Sequence, residues 1–408
     1  MSIDFAFPPE VEDIRLRVRE FLDEEVRPAE SESLWEGENR RNLIEVILKL
    51  RDKAQKKGLW LPHMPPEWGG MGLGPTALAA VSSECARTRL GSFILNCQAP
   101  DEGNMHTLLH FGTDEQKEKY LKPLCKGFQR SCFAMTEPEV AGSDPTLIQT
   151  LAVKDGDDWV INGHKWFISG ARGANFAILI ARTNPDAEIP QERNTAFIVD
   201  TNSEGWNVVR DVETMAGSHN HCEIRIENLR VPDSNILGRV GGGHELGQVR
   251  LGPARLAHCM RWIGQIEMAL EMMIDRAQNR FSHGSLLSEK QGIQWLIADS
   301  GMELYAAKLM VLHAAFRIEN KLDFKTEVSY AKHHVAQTLW KVCDRAVQVH
   351  GALGYSTDSP ISGMLLQARW ARFADGADEI HQMRIAQQLM RSYSETGSVR
   401  RATGDLPL

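Results

Sequence analysis

The spacing of apolar residues divides the chain into three parts. From about residue 10 to residue 126, apolar and charged residues follow a helical period, broken at 64–76 by MPPEWGGMGLGPT. In this part Thr113, followed at once by acidic residues, is typical of a helix N-cap. The first third is therefore predicted to be helical.

Near Phe133 this pattern gives way to short runs rich in β-branched and aromatic residues, namely DWVING, NFAILIAR, TAFIVD and CEIRIENLRV. In the last run, the residues that alternate with charged neighbours, as in a half-buried strand, are Ile224, Ile226, Leu229 and Val231. Asn162-Gly163 is a strong hairpin signal. The middle third is predicted to be a small β-barrel or sandwich.

After the glycines at 241–243 the helical period returns and persists. One apolar stripe comprises Ile263, Ile266, Leu270 and Met273. A longer one comprises Val328, Ala331, Val335, Leu339, Val342 and Ala346. Such stripes usually form the core of a helical bundle, so the whole chain is predicted to be an α+β protein.

Composition narrows the function classes. The 408 residues are 42% hydrophobic and carry a net charge of -8, which argues against nucleic acid or an anionic membrane as the main partner. No apolar stretch approaches the length of a membrane span, and the start lacks the pattern of a secretory signal. Seven cysteines without a CxxC pair favour a reducing compartment over a disulfide framework, so a cytoplasmic protein is expected.

Common cofactor and metal motifs are missing from the sequence. It has no GxGxxG after a strand, no P-loop and no GxSxG elbow. The histidines of HNH at 219–221 and the pair His333–His334 have no carboxylate at ligand spacing on the same helix. No metal site is expected.

Four stretches carry more specific signals. CFAMTEPEVAGSD (132–144) runs from a strand into a turn of small residues, whose open backbone can approach a ligand. INGHKWFISGA (161–171) places Phe167 and Ser169 on one face of a strand, which suits a flat heteroaromatic ring. VQVHGALGYSTDSP (347–360) ends a long helix at a glycine. Taken singly, each of these three also fits an ordinary turn, hairpin or helix end. The fourth, RFADGADEIHQ (372–382), places three carboxylates within five residues.

Together these stretches resemble the acyl-CoA dehydrogenase family, over essentially the whole chain. The matching motifs, in order, are GTDEQKEKYL, MTEPEVAGSD, INGHKWFISG, NLRVPDSNILG with GGGHELG, and VHGALGYSTDSP. The resemblance implies a helical N-terminal domain (1–129), a middle β-barrel domain (130–240) and a C-terminal four-helix bundle (241–408). It also implies non-covalent FAD, a homotetramer or homodimer, oxidation of an acyl-CoA to the 2-enoyl-CoA, and electron-transferring flavoprotein as the acceptor.

The resemblance also assigns residues. Those implied to hold FAD are Phe133, Met135, Thr136, Gly142, Ser143, Phe167, Ser169, Arg280, Gln291, Gln348, Gly351 and Glu379. Among them Arg280, Gln291, Gln348 and Gly351 match positions that reach the FAD of a neighbouring subunit. Those implied to contact the acyl-CoA are Ser143, Arg255 and Gly376.

The same alignment places Asp375 on the catalytic base, which removes the α-proton while a hydride leaves the β-carbon. Most family members have glutamate there, and aspartate is about 1.3 to 1.5 Å shorter, so substrate or backbone must lie closer. The alternative base position of some members is Ala254 here, and an acid that usually binds pantetheine is Gly252. Asp378 matches a position without a role in proton transfer, so its replacement is expected to be mild.

NCQAPDEGNMH, RLGPARLAHCMRWIG and ADGADEIH resemble one branch, the family members 10 and 11, which are linked to 4-hydroxyacyl-CoA breakdown. Asp101 and Asn104 fall on a helix that usually lines the acyl pocket, so a hydroxylated acyl group is one expectation. Nitroalkane oxidases, which also use aspartate, and acyl-CoA oxidases share the fold and remain alternatives. A flavin-free helical scaffold is a third.

Overall fold

The computed structural model describes residues 6–30, 40–217 and 221–404. It consists of two compact units. One unit contains Met1–His63, Met71–Leu95 and Arg255–Leu408, and the other contains Met64–Gly70 and Asn96–Ala254. We call them the helical unit and the sheet unit. These two units group the chain differently from the three predicted domains, whose boundaries stay a prediction.

The helical unit begins with helices that bury one face each. Their bounds are α1 (Pro9–Phe21), α2 (Arg40–Lys56), α3 (Pro75–Cys85) and α4 (Gly91–Ile94). Glu84 on α3 is buried and accepts hydrogen bonds from Arg15 and Arg19 of α1. The predicted helical start is therefore confirmed in the described residues.

The sheet unit begins with short helices, α5 (Asp101–Phe111), α6 (Asp114–Gln116) and α7 (Lys122–Cys125). Thr113 is the N-cap of α6, with a reciprocal capping box to Gln116, as its position before two acids predicts. The strands then follow as β1 (Ser131–Ala134), β2 (Leu151–Asp155), β3 (Asp158–Ser169), β4 (Phe176–Arg182), β5 (Asn194–Asp200), β6 (Trp206–Asp211), β7 (His221–Pro232) and β8 (Ile236–Leu237).

These eight strands form one mixed sheet. The order is β6-β7-β3-β2-β4-β5-β8, and β1 pairs in parallel with β4. The predicted β interlude is confirmed, but over the described strands the pairing is an open path from β6 to β8 and not a closed ring. The predicted inward residues Ile224, Ile226, Leu229 and Val231 are all buried.

The prediction of a hairpin at Asn162-Gly163 is wrong, because β3 runs straight through both residues. A bulge against β7 between Ile161 and Gly163 absorbs the irregularity that these residue types introduce. The tight turn lies one strand earlier, at Gly156, whose φ of 63° suits glycine.

The last part of the helical unit is a bundle. Its bounds are α8 (Gly243–Asn279, of which Arg255 onward belongs to this unit), α9 (Gln291–Glu319), α10 (Lys325–His350), α11 (Ala352–Tyr355), α12 (Pro360–Trp370) and α13 (Asp378–Thr396), with a small hairpin of β9 (Phe281–Ser282) and β10 (Ser285–Leu286). The predicted stripe of α10 is buried in full, and that of α8 is buried except for a partly exposed Leu270. Within the residues described, no helix is long and apolar enough to cross a membrane.

Candidate active site

The turn that carries Asp375 lies between α12 and α13. Asp375 and Gly376 both have left-handed backbones, with φ of 51° and 110°. Aspartate tolerates that conformation better than most residues, and glycine tolerates it freely. At Gly376 a Cβ atom would also lie 2.9 Å from Nε2 of His381, so both backbone and space require glycine there.

Two cations of the helical unit fix the carbonyl groups of this turn. Arg255 on α8 donates from Nε to the carbonyl oxygen of Asp375 at 2.7 Å, and Lys332 on α10 donates to that of Gly376 at 2.6 Å. Burial lowers the pKa of Arg255, and the charge of Asp375 opposes that shift. Arg255 therefore holds the backbone of Asp375 directly, a role that the sequence motifs did not assign to it.

The side chain of Asp375 lies beside a histidine. Its Oδ2 is 3.2 Å from Nε2 of His258, one helical turn after Arg255 on α8. The carboxylate retains 24% side-chain exposure, so it is reachable from solvent. The spacing of Arg255 and His258 at i and i+3 could have indicated this contact, since such residues share a helix face.

Asp378 holds the start of α13 in place and is only 2% exposed. Its Oδ2 accepts from Nε of Arg372 at 2.9 Å and from Nε2 of Gln337 at 2.7 Å, and its Oδ1 lies 3.7 Å from Nζ of the buried Lys332. The expectation that its replacement is mild does not fit this environment, because neutralising one partner leaves buried charges without compensation.

His381 is a second buried group that the sequence did not indicate. Burial lowers its pKa to about 3, and the positive charges of Lys332, Arg255 and Arg384 add to that effect. It is therefore a neutral imidazole beneath Gly376. By contrast, Glu379, two residues before His381, is exposed.

The second candidate region lies in the sheet unit, where two predicted motifs meet. Nζ of Lys165 on β3 donates to the carbonyl oxygen of Met135 at 2.8 Å, and the amide of Trp166 donates to that of Thr136 at 3.1 Å. The hydroxyl of Thr136 donates in return to the carbonyl of Trp166 at 2.6 Å. The segment after β1 and the end of β3 are thus joined side by side.

A buried ion pair supports this junction. Glu137 and Lys165 are 2% and 0% exposed and lie 2.8 Å apart. Burial alone would raise the pKa of Glu137, but the charge of Lys165 and hydrogen bonds from Lys165, Thr150 and the Gln149 amide together lower it. Burial lowers the pKa of Lys165 to about 8 in spite of Glu137.

Phe167 projects from this junction and is 41% exposed. Its φ of 53° breaks the simple alternation predicted for β3, and the register with β7 shifts at the same point. The ring packs edge-on against Trp166, with centroids 4.8 Å apart. A large aromatic ring that is open to solvent at a strained backbone position is a candidate for a stacking contact with a ligand.

Ser169, two residues further, is half-buried, and its hydroxyl lies 2.9 Å from Nδ1 of His221. His219 and Asn220, the other members of the HNH stretch, lie outside the described residues. Met135, Thr136 and Gly142 line a small concavity with their neighbours, and Ser143 beside them is exposed. Phe133 on β1 lies under the guanidinium of Arg250, 4.0 Å from the ring centroid.

These groups fit a flavin. An exposed aromatic ring, a neighbouring hydroxyl and a turn of small residues suit a flat polar ring system, with Phe133, Met135, Thr136, Gly142, Ser143, Phe167 and Ser169 as the contacting set. In the helical unit Arg280, Gln291, Gln348 and Gly351 are all exposed. Within the described residues the Arg280 guanidinium forms no hydrogen bond or ion pair, so it is available to a phosphate.

Asp101 and Asn104 do not present free polar groups. Asp101 is fully buried and accepts hydrogen bonds from Gln98, Arg130 and both the amide and the hydroxyl of Ser131. Asn104, also fully buried, donates to the Ser131 hydroxyl at 2.9 Å and accepts from Arg250 at 3.0 Å. Their polarity is thus satisfied within the sheet unit, and this arrangement does not support a role in an acyl pocket.

The fold and the comparisons with known proteins define an α+β oxidoreductase. The family models for the N-terminal, middle and C-terminal domains of acyl-CoA dehydrogenases match residues 8–128, 132–229 and 241–390. The chain is 39% identical to the probable acyl-CoA dehydrogenase FadE2 of Mycobacterium tuberculosis, over 94% of this chain and 96% of that protein. It therefore belongs to the acyl-CoA dehydrogenase family, whose members are flavoproteins of fatty acid metabolism with FAD as their cofactor.

Two further relatives bear on the details. Human acyl-CoA dehydrogenase family member 11 is 33% identical over 94% of this chain, which spans 51% of the human protein's length. The structure of butyryl-CoA dehydrogenase from Megasphaera elsdenii superposes with a TM-score of 0.82, at 25% identity over 95% of this chain and 100% of that one. The resemblance to family members 10 and 11 is thus confirmed.

Proposed function

We propose that this protein oxidises an acyl-CoA thioester to the 2-enoyl-CoA, with Asp375 as the base. The observation that carries the proposal is a carboxylate that remains partly exposed while its own backbone is held by Arg255. A base must be both reachable and fixed in position, and this turn provides both properties.

FAD, when bound, supplies the acceptor for the hydride that leaves the β-carbon. Asp375 accepts the α-proton and becomes the neutral acid, and the turn amide at Asp375 or Gly376 donates a hydrogen bond to the thioester oxygen as negative charge develops there. Arg255 and Lys332 orient the peptide planes of that turn through its carbonyl groups. Ser143, on the exposed turn of the sheet unit, is a further proposed contact for the acyl-CoA.

The acyl group is the finer part of the proposal. A medium- or long-chain acyl-CoA is one candidate, and a 4-hydroxyacyl-CoA is the other, which the similarity to family members 10 and 11 supports. Asp101 and Asn104 do not support the hydroxylated group, because protein groups already satisfy both side chains. Electron-transferring flavoprotein is the proposed acceptor, in keeping with the family.

The test is an anaerobic titration of the purified protein with a panel of acyl-CoA thioesters, both plain and 4-hydroxylated, while flavin absorbance is recorded. Loss of absorbance with a CoA thioester supports the dehydrogenase, and the same titration with a nitroalkane addresses the nitroalkane oxidase. Admission of oxygen then separates the two CoA-dependent reactions, since rapid recovery of the flavin absorbance indicates an acyl-CoA oxidase. No bleaching by any thioester in the panel contradicts the proposal.

FAD binding by a homo-oligomer, a tetramer or a dimer, has its own test. Arg280→Ala is expected to lower FAD occupancy and to weaken assembly together, because it removes a charged contact to phosphate. The measurements are the ratio of flavin to protein absorbance and the mass in solution at low concentration. Arg239→Ala, an exposed arginine of the sheet unit, is the matched control. Full occupancy in Arg280→Ala counts against the assigned position.

A further inference from the structure

His258 lies where it can fix the carboxylate of Asp375. Its Nε2 is 3.2 Å from Oδ2 of Asp375, and its side chain is 13% exposed. The ring stacks on Trp262, with centroids 5.5 Å apart and an interplanar angle of 21°, and meets the edge of Trp370 at 5.5 Å. Two tryptophans therefore restrict the orientation of the imidazole.

The contacts of the ring also favour one position for its hydrogen. Nη2 of Arg261 lies 3.4 Å from Nδ1 of His258, and because a guanidinium group only donates, a hydrogen bond there uses the lone pair of Nδ1. The remaining hydrogen of a neutral ring is then on Nε2, facing Asp375.

We propose that His258 is a positioning residue for this reaction, whose Nε2–H holds one oxygen of Asp375 and leaves the other for the α-proton of the thioester. The inference rests on the proposed function. It also gives a physical account of the shorter base, because an aspartate has less reach than a glutamate and must be held more closely.

Other charged or titratable groups face this pair and must be counted in any pH profile. Arg255 from α8 and Lys332 from α10 lie against the turn, and Arg384 and His381 from α13 lie beneath it. On the His258 side the charged neighbour is Arg261, and α12 contributes Trp370, which is uncharged. Replacement of His258 leaves all of these in place.

The experiment compares His258→Ala with His258→Gln, which retains an N–H at similar reach. We expect His258→Ala to slow anaerobic flavin reduction about 10- to 100-fold, as for loss of a hydrogen bond to a charged group, with little change in thioester binding. The acid limb of its pH profile moves to higher pH, because the donor stabilised the ionised carboxylate. We expect His258→Gln to retain a rate within about 5-fold of the original.

His334→Ala is the matched control, since His334 is a partly buried histidine of α10 whose Nε2 lies 3.3 Å from the carbonyl oxygen of Glu303. A rate for His258→Ala equal to that of the unchanged protein at every pH overturns the proposal. So does an equal loss when His258→Ala is added to Asp375→Asn, because a positioning residue has no further effect once the base is gone.

A readout independent of activity is the ¹⁵N shift pattern of the imidazole ring, which distinguishes the tautomers. Hydrogen on Nε2 supports the assignment, and hydrogen on Nδ1 contradicts it. The proposed function has a different test from the role of His258. It is contradicted if the single variant Asp375→Asn reduces its flavin at a normal rate.

Discussion

Two buried carboxylates, Glu137 and Asp378, support the two candidate regions in different ways. In the sheet unit Glu137 accepts hydrogen bonds from backbone amides, from Thr150 and from Lys165. In the helical unit Asp378 is held by the side chains of Arg372 and Gln337, with Lys332 nearby. The first region is thus part of the hydrogen-bonded frame of a sheet, whereas the second depends on side chains that converge on the start of α13 from α10 and from the preceding turn.

The two regions therefore differ in what they offer to a ligand. The sheet region presents a fixed surface around Phe167, and the turn region presents the proposed base, Asp375. Replacements in the two regions should therefore affect different measurements, and the following predictions test that separation.

The largest effect is expected for Asp375→Asn. It removes the proton acceptor and keeps the shape, so flavin reduction by an acyl-CoA should fall about 10²- to 10⁴-fold. FAD occupancy and thermal unfolding should change little. Stopped-flow absorbance measures the rate, and a rate near normal would show that the base lies elsewhere.

Asp378→Asn should destabilise the protein by about 3 kcal/mol, because it leaves Lys332 and Arg372 without their buried counter-charge. Activity should fall with it, since the turn at Asp375 and Gly376 loses its support. Chemical denaturation measures the loss, with the exposed Asp344→Asn of α10 as control. Equal stability of the two variants would contradict the role given to Asp378.

Glu137→Gln should cost about 2 kcal/mol and lower FAD occupancy, because an amide cannot accept all the hydrogen bonds that the carboxylate accepts. The lowered pKa of Glu137 means that its contribution is present above its ordinary value of 4.5 and is lost as the pH falls below it. Unfolding curves and flavin absorbance test this, beside the exposed Glu213→Gln. An unchanged flavin content would separate the ion pair from the cofactor site.

The smallest effect is expected for His381→Gln. The folded-state pKa of His381, about 3, is below its ordinary 6.5, so the unfolded chain binds more protons between those values. The original protein should lose up to about 1 kcal/mol per pH unit through this residue as the pH falls below 6.5, and the variant should not. Denaturation at neutral and mildly acidic pH, with the exposed His110→Gln as control, measures the slope. Parallel slopes would refute it.

Periodicity predicted the elements better than it predicted their interruptions. The stripe from Val328 to Ala346 is buried because a long helix can place every third or fourth residue on one face. The pattern failed at Asn162-Gly163 and at Phe167, where a bulge and a left-handed residue depend on pairing with β7, which is distant in sequence.

The predictions for the site show the same contrast between local patterns and contacts that are distant in sequence. The assignment of Asp375 came from a motif, and local spacing could have added His258. Lys332 lies on the buried face of α10, where it donates to the carbonyl oxygen of Gly376. That partner is 44 residues away in the sequence, so local spacing could not indicate it. The partners of Asp101 and Asn104 could not be predicted from local spacing either, because Ser131 and Arg250 come from other elements.

The left-handed backbone at residue 375 limits which amino acids evolution can place there. Aspartate, asparagine and glycine enter that conformation readily, and only the first of these can accept a proton from a weak carbon acid. A glutamate would reach further, but in the same left-handed backbone it would add strain to a turn whose carbonyl groups Arg255 and Lys332 hold. The residue type of the proposed base and the backbone conformation of its turn are therefore coupled, so that a substitution at position 375 and a change in the turn are expected to occur together.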